Sequence, residues 1–132
     1  RGFDVATDIV QGREEKAFEV LKTLISQKED PININSQLIN AYVDIYRAKV
    51  FLASGDRADG AAKYYNYQNR AFRLTNAARD ASKIDIASVR VCLEILANAD
   101  TKLKSSSVNK SLILEETIVK LILAANGERV TI

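Results

Sequence analysis

Residues 83–104, KIDIASVRVCLEILANADTKLK, form the stretch that decides the fold of this chain. Apolar residues recur in it at the three- or four-residue spacing of one helical face. This stripe consists of Val89, Cys92, Leu93, Leu96, Ala99 and Leu103, widened by Ile86 and Ile95. Asp85 lies where a carboxylate caps free backbone N–H groups, and Lys102 and Lys104 lie where cations oppose the helix dipole. The stretch therefore predicts one long helix that packs against more than one neighbour.

The rest of the chain has the same period, interrupted by short polar turns. We predict further helices over residues 3–10, 13–27, 31–53, 61–65, 69–82 and 111–126. Asp30 followed by Pro31 is a helix start signal, and Gly127 is a candidate C-cap. Helix 31–53 is apolar on two sides, which indicates a central position. Helix 111–126 is apolar almost all round, so we expect it to be buried on most sides.

The predicted fold is all-α, a compact bundle of about six to seven helices forming one domain over residues 1–132. Five glycines and one proline leave room for few turns, which favours helices over strands. On helix 69–82 the core candidates are Phe72, Leu74 and Ala78. The chain opens Arg1-Gly2-Phe3 without an initiator Met, and we interpret it as a fragment of a longer or processed protein.

Composition and charge exclude several classes of protein. The net charge is +2, from 19 basic and 17 acidic residues, and so small a surplus does not indicate nucleic-acid or membrane binding. One cysteine excludes an internal disulfide and fits a reducing compartment. No apolar run approaches the ~20 residues of a membrane span. We therefore expect a cytoplasmic protein.

The residues that carry most enzyme chemistry are missing or badly placed. There is no histidine, hence neither the commonest general base nor the commonest metal ligand. Cys92 lies in the middle of an apolar stripe, which indicates a buried, inert thiol. Asp4 and Asp8 share a helical face, but two carboxylates make a weak metal site. We predict no catalytic residue, no metal and no cofactor, and thus no enzyme.

One region has a charge bias. Residues 57–83 contain six basic and two acidic side chains, together with three tyrosines at 64, 65 and 67. A helix, a short turn and a second helix bearing cations and aromatics also fit a DNA-binding helix-turn-helix, so a regulator of that type is the alternative function. A helical repeat adaptor is a third class, but the chain has no internal repeat.

The order of these elements resembles the C-terminal domain of the delta subunit of bacterial DNA polymerase III, a part of the sliding-clamp loader. The opening Phe3-Asp4-Val5 leads into a helix at 15–24, and Glu29-Asp30-Pro31 leads into the long helix. Further points of likeness are Tyr42, Tyr46 and Arg47 in the long helix, Arg70, Ala78 and Arg79 in helix 69–82, and the ending Leu93, Leu96, Ala99-Asp100 and Leu103-Lys104. The likeness covers nearly the whole chain.

The resemblance implies a non-catalytic, C-terminal collar domain that packs against the delta-prime and gamma/tau-type subunits of the loader. The parent protein would belong to a DNA-directed DNA polymerase holoenzyme, a nucleotidyltransferase complex, and would reach the sliding clamp through its N-terminal region. The assembled loader acts on DNA. Candidate DNA-facing residues are Arg70, Arg73, Arg79, Lys83, Ser107 and Lys110. Candidate subunit-interface residues are Tyr42, Tyr46, Ile113 and Ile122.

Overall fold

The computed structural model describes residues 2–105 and 107–132, and over these residues it contains helices and turns but no β-strand. The elements are α1 (Gly2–Val10), α2 (Glu14–Ser26), α3 (Pro31–Ala53), a 3-10 helix (Ala58–Lys63), α4 (Phe72–Ala81), α5 (Ile86–Leu103) and α6 (Lys110–Ala125). The predicted all-α class is confirmed. None of the described helices is long and apolar enough to cross a membrane.

Capping carboxylates set where the two long helices begin. The Asp30 side chain accepts a hydrogen bond from the N–H of Ile32 at 3.0 Å. The Asp85 side chain accepts one from the N–H of Ser88 at 2.8 Å. Each carboxylate satisfies a donor that the first helical turn leaves free. Both predicted caps are confirmed, and α5 begins directly after its cap rather than at residue 83.

Four of the described helices, α1, α2, α3 and α6, end in the same turn, in which a left-handed residue is followed by an N–H that returns to a carbonyl five residues earlier. In α3 the left-handed residue is Gly55 (φ +85°), and the N–H of Asp56 reaches the carbonyl of Phe51. Gly12 (φ +82°) ends α1 in this way, and Gly127 (φ +75°) ends α6 as predicted. In α2 the left-handed position is Lys28 (φ +58°), and the N–H of Glu29 reaches the carbonyl of Leu24 at 3.1 Å. A residue with a Cβ costs about 1 kcal/mol more than glycine at such a position.

The central helix is α3. It packs against α1, the 3-10 helix, α4, α5 and α6, in agreement with its two apolar sides. The α5 stripe lies against α3 and α6 and is buried, with Val89, Cys92, Leu96 and Leu103 all at 0% exposure. The main core therefore lies between α3 and α5, and side chains from α1, α2 and α6 complete it.

Two predicted segments differ from the structure. The short helix expected at 61–65 is instead the 3-10 helix three residues earlier. Helix 69–82 shortens to α4, because Gln68 takes a left-handed φ of +53° and the N–H of Arg70 bonds to the carbonyl of Tyr67, so the chain is still turning there. Phe72, expected in the core, is the first residue of α4 and is 59% exposed.

Two apolar surfaces are more open than the sequence predicts. On α6 the buried residues form a single face: Leu114, Thr117, Ile118, Leu121 and Ala124. Leu112 and Val119, on the opposite side, are 49% and 46% exposed, so α6 is not buried on most sides. Leu52, near the end of α3, is 46% exposed, because that end of the helix extends beyond the main core.

Candidate functional site

A cleft with a volume of about 840 Å³ lies between α1, α3 and α4. Its lining brings together Arg70, Arg73 and Arg79, three of the six residues predicted to face DNA, and adds Arg13. Lys83, Ser107 and Lys110 are exposed but lie outside this lining. The cleft is therefore the place where the structure assembles part of the predicted basic surface.

A buried carboxylate network fixes one wall of the cleft. Asp44, on α3, is 3% exposed and accepts hydrogen bonds at its Oδ1 from the Tyr67 hydroxyl (2.7 Å) and at its Oδ2 from Nε and Nη2 of Arg73 (3.0 and 2.9 Å). Arg47 donates to the same Tyr67 oxygen at 3.1 Å. Charge-assisted bonds of this kind are stronger than neutral ones. The network joins α3, the turn before α4, and α4 itself.

The ionisation of Tyr67 reflects the same surroundings. Burial raises the pKa of the Tyr67 hydroxyl, and its hydrogen bond to Asp44 also raises this pKa, whereas the bond from Arg47 lowers it. The guanidinium of Arg73 lies 5.2 Å from the centre of the Tyr67 ring, so the aromatic face also contacts a cation. Tyr67 therefore remains a neutral hydrogen-bond donor to Asp44 near neutral pH.

A second carboxylate joins α1 to α4 beside the cleft. Asp80 is 7% exposed and accepts hydrogen bonds from the Thr7 hydroxyl and the Gln11 side-chain amide, both at 2.9 Å. At the end of α1, the Arg13 Nε donates to the Asp8 carboxylate at 2.8 Å, and the Asp8 side chain is 4% exposed. The three buried carboxylates in and beside this cleft thus already hold polar or cationic partners.

The α4 side of the cleft presents an aromatic ring among cations. Phe72, Asn76 and Arg79 are spaced four and three residues apart, so they lie on one face of the helix. All three are exposed. Arg73 is paired with Asp44, whereas Arg70 and Arg79 make no ion pair in the part of the chain that the structure describes. These two guanidinium groups are available to a ligand.

A further group of aromatic residues lies around the C-terminal part of α3. The Arg47 guanidinium stacks 3.6 Å from the centre of the Tyr65 ring, and the Tyr64 ring lies 5.8 Å from that of Phe51. Eight residues, 64–71, separate the 3-10 helix from α4. This differs from the α-helix and three- or four-residue turn of a helix-turn-helix.

The predicted interface residues lie at different depths. Tyr42 is 0% exposed, so it has no surface with which to contact another subunit, and its proposed interface role is wrong. Tyr46 is half-buried beneath the Arg90 guanidinium, which lies 5.9 Å from the ring centre. Ile113 and Ile122 are partly buried against the core. The open side of α6 lies beside them, although the sequence predicted that this helix is buried on most sides.

The outer face of α6 consists of Leu112, Val119 and Leu123. At 100° per residue their positions fall within about 40° of one another, opposite the buried face. Leu112 and Val119 are the exposed pair, and Leu123 is partly exposed. The seven-residue spacing of the first two is visible in the sequence, although periodicity alone does not say which of two apolar faces is covered.

Cys92 lies in the core, as predicted. Burial raises the pKa of its thiol to about 12, so the thiol remains protonated near neutral pH. The neighbouring Tyr42 has a pKa well above its usual value, through burial first and through Cys92 second. The Tyr42 hydroxyl nevertheless lacks a hydrogen bond of proper geometry. Among residues 2–105 and 107–132, no group of three or more potential ligands is placed to hold a metal.

The fold is similar to that of a solved protein, the Bacillus subtilis DNA clamp loader delta protein, with a TM-score of 0.82 and 26% identity over 92% of this chain. The fold therefore defines the class of protein as a clamp-loader subunit, and the chain corresponds to one helical domain of it. Residues 1–121 match the family described as "DNA polymerase III delta subunit, C-terminal domain", and the chain belongs to that family. The resemblance seen in the sequence is confirmed.

A curated relative agrees with this assignment. The chain is 26% identical over 120 residues to DNA polymerase III subunit delta of Bacillus subtilis (strain 168). The match covers 91% of this chain but 34% of that relative, and the structural match covers 35% of the solved chain. The chain thus spans about a third of the length of the proteins it matches.

Proposed function

We propose that this chain is a non-catalytic assembly domain of a DNA polymerase III clamp-loader delta subunit. As one helical domain, it packs against other loader subunits in a collar and thereby supports loading of the sliding clamp during DNA replication. Family membership supports the clamp-loader assignment. The partners are the delta-prime and gamma/tau-type subunits, and contact with the clamp belongs to the rest of the longer, cytoplasmic protein.

The observation that carries this proposal is the outer face of α6. Leu112 and Val119 are each close to half exposed on a 16-residue helix whose other side is fully buried. The stripe from Leu112 to Leu123 spans about 17 Å. Apolar area is favourable to bury, at roughly 25 cal/mol per Å². A facing helix from another subunit would remove this surface from water.

The charges beside the stripe constrain the partner. Glu115 and Glu116 are exposed on α6 next to Leu112 and Val119. Complementary charges at an interface speed association and exclude wrong partners. We therefore expect the facing surface to be apolar with basic residues at its edge. Ile113 and Ile122 lie along the sides of the same helix and enlarge the contact toward the roughly 1,000 Å² that a stable interface requires.

The test is complex formation by size-exclusion chromatography with light scattering. The chain is mixed with purified delta-prime and gamma-type subunits from the same organism, first as wild type and then as Val119→Lys. The wild type should form a stoichiometric complex, and the lysine should abolish it, because a charged side chain would have to lose its water in place of an apolar one at the centre of the contact. Leu52→Lys is the matched control, since Leu52 is also 46% exposed but lies on α3.

Two results would contradict the proposal. One is the absence of any defined complex between the wild-type chain and the other loader subunits. The other is a complex that Val119→Lys leaves intact, which would remove the α6 face from the interface. Since Val119 is exposed, circular dichroism should show that the variant folds normally, so loss of the complex will report on the contact itself.

A further inference from the structure

We infer that residues 128–132 form a strap that fastens α6 to α5 and that attachment of this strap is coupled to partner binding at the outer face of α6. The strap follows the left-handed turn at Gly127. The inference rests on the proposed function, because the α6 face is the surface that the strap regulates. The match to the family ends at residue 121, so the strap lies beyond the part of the chain that the match covers.

The first argument is the way in which the two ends of the strap are attached. At its start, the N–H of Glu128 bonds to the carbonyl of Leu123 at 2.9 Å, which reverses the direction of the chain after α6. At its far end, the side-chain amide of Asn98 on α5 donates to the main-chain carbonyl of Ile132 at 3.1 Å. The strap therefore begins on one helix and is held at the other.

The second argument is the position of the Ile132 side chain. It lines a small cavity together with Lys102 of α5 and with Ile113 and Glu116 of α6. The cavity measures about 10 Å³, so it has room for about one water at most. Glu116 precedes Gly127 by roughly 16 Å along the helix axis, a distance that five extended residues just span. The strap therefore runs back along the groove between α5 and α6.

The third argument is the alternation of side chains along the strap. An extended chain directs successive side chains to opposite sides, so Val130 and Ile132 share one side, and Arg129 and Thr131 share the other. Val130 is partly buried and packs against the main core, and Ile132 lines the cavity with 39% of its surface exposed. Arg129 and Thr131 are exposed. The apolar side of the strap thus lies against the two helices.

The strap is held by few contacts, which suits it to detach and reattach. In the described part of the chain, residues 129–132 form no hydrogen bond with other main-chain groups, and Asn98 provides the side-chain bond. Segments with few buried apolar contacts and an exposed backbone open at a low free energy. Attached and detached states can therefore exchange while the main core stays folded.

The coupling to the partner follows from the position of the strap beside the outer face of α6. Glu116 lines the cavity with Ile132 and lies about 40° around the helix from Leu112. A partner that packs on the outer face binds best to a well-ordered α6, and the attached strap favours that order. Partner and strap then stabilise each other by the same factor, as thermodynamic linkage requires.

The first experiment compares amide hydrogen exchange in the 132-residue chain with that in Ile132→Asp and in Asn98→Ala. Both substitutions should detach the strap, and the amides of residues 118–125 should exchange at least about 3-fold faster. Amides of α3 should not change. Thr131→Asp is the matched control, because it adds the same charge to the strap on its exposed side. Circular dichroism and thermal melting should show that all three variants fold.

The second experiment measures the affinity of the same variants for the purified delta-prime and gamma-type subunits. Ile132→Asp and Asn98→Ala should each weaken binding by about 3-fold or more, and Thr131→Asp should not. Asn98 is the more informative position, because it lies on α5, away from the outer face of α6, so its effect passes through the strap. In the wild type, the bound subunits should slow exchange in residues 128–132.

The possible failures can be told apart. Equal exchange of residues 118–125 in the wild type and in both strap variants would overturn the inference, and so would an equally large effect of Thr131→Asp. Variants that loosen α6 but bind the subunits as tightly as the wild type would overturn the coupling. If the wild-type chain forms no complex, the proposed function is wrong and the coupling with it, while the exchange experiment still decides whether the strap fastens α6.

Discussion

Asp44 holds three parts of the chain together, and its replacement by asparagine tests how the wall of the cleft is built. The substitution keeps the size of the side chain but removes its charge. In the wild type the carboxylate accepts three hydrogen bonds, two from Arg73 and one from Tyr67. In Asp44→Asn the Arg73 bonds lose their anionic acceptor, and the Tyr67 hydroxyl faces an amide that can also donate.

The expected cost is about 3 kcal/mol in the free energy of unfolding. Removing one partner of a buried ion pair costs roughly 3–5 kcal/mol. Asparagine retains one acceptor and Arg73 has 28% side-chain exposure, so the low end of this range applies. With about 2.1 cal/mol/K of unfolding entropy per residue, a 132-residue chain should melt about 10 °C lower.

The assay is urea unfolding followed by circular dichroism, with thermal melting as a second measurement. Hydrogen exchange adds a local measurement, because the Tyr67–Asp44 hydrogen bond helps to attach residues 64–71 to α3. Their amides should exchange faster in Asp44→Asn, whereas those of α6 should change only as much as global stability does. Asp100→Asn is the matched control, since Asp100 pairs with Lys104 at 2.8 Å on the surface and should contribute about 0.5 kcal/mol or less.

The reasoning would be refuted if Asp44→Asn lost less than about 1 kcal/mol, or no more than Asp100→Asn. Either result would mean that water or a rearranged Arg73 replaces the carboxylate at little cost. A double-mutant cycle between Asp44→Asn and Tyr67→Phe provides an independent check. Because the two side chains are in direct contact, their effects should deviate from additivity by about 1 kcal/mol.

Three further substitutions have defined outcomes. Asp85→Ala should lower stability by about 1 kcal/mol at neutral pH through loss of the α5 cap, as measured by urea unfolding. Hydrogen bonds from Ser88 lower the pKa of Asp85 in the folded protein. The contribution of Asp85 to stability is therefore present above its unfolded-state pKa and is lost as the pH falls through its folded-state pKa. In acid, the wild type and Asp85→Ala should be equally stable. Lys28→Gly should raise stability by about 1 kcal/mol, because glycine accepts φ +58° without strain, and an unchanged melting temperature would contradict this. Tyr42→Phe should be neutral or stabilising by up to about 1 kcal/mol, because it removes a buried hydroxyl without a hydrogen bond; a clear loss would show that the Cys92 thiol or a buried water satisfies it.

Local signals in the sequence predicted most of the fold. Asp30 and Asp85 are carboxylates immediately before apolar periodic stretches, and both act as caps. Gly127 ends α6 because the position after the helix takes a positive φ, which glycine adopts without a steric penalty. The left-handed turn at Lys28 could not be predicted in this way, because lysine carries no such preference and the turn is imposed by the packing of the helices on either side.

The candidate site was only partly visible in the sequence. Arg70, Arg73 and Arg79 were identified by their charge, but charge alone does not reveal that Arg73 is committed to Asp44. That pairing joins positions 29 residues apart and depends on how α4 lies across α3. Asp80 joins Thr7 and Gln11 over still longer separations, 73 and 69 residues. The polar contacts that hold the walls of the cleft are therefore a product of tertiary packing.

The two errors in the predicted core concern residues that also mark the candidate surfaces. Phe72 was assigned to the core and is exposed beside the cleft, and Leu112 and Val119 were expected to be covered and lie open on α6. A sequence that folds to one state normally satisfies its apolar pattern within the fold, and exceptions concentrate where function requires them. In this chain two such exceptions fall on separate helices, with cations beside Phe72 and glutamates beside Val119, and another, Leu52, lies near the end of α3. The charges at the two places are opposite, so they call for different partners, and the glutamates beside Val119 favour a neighbouring subunit with basic residues for α6.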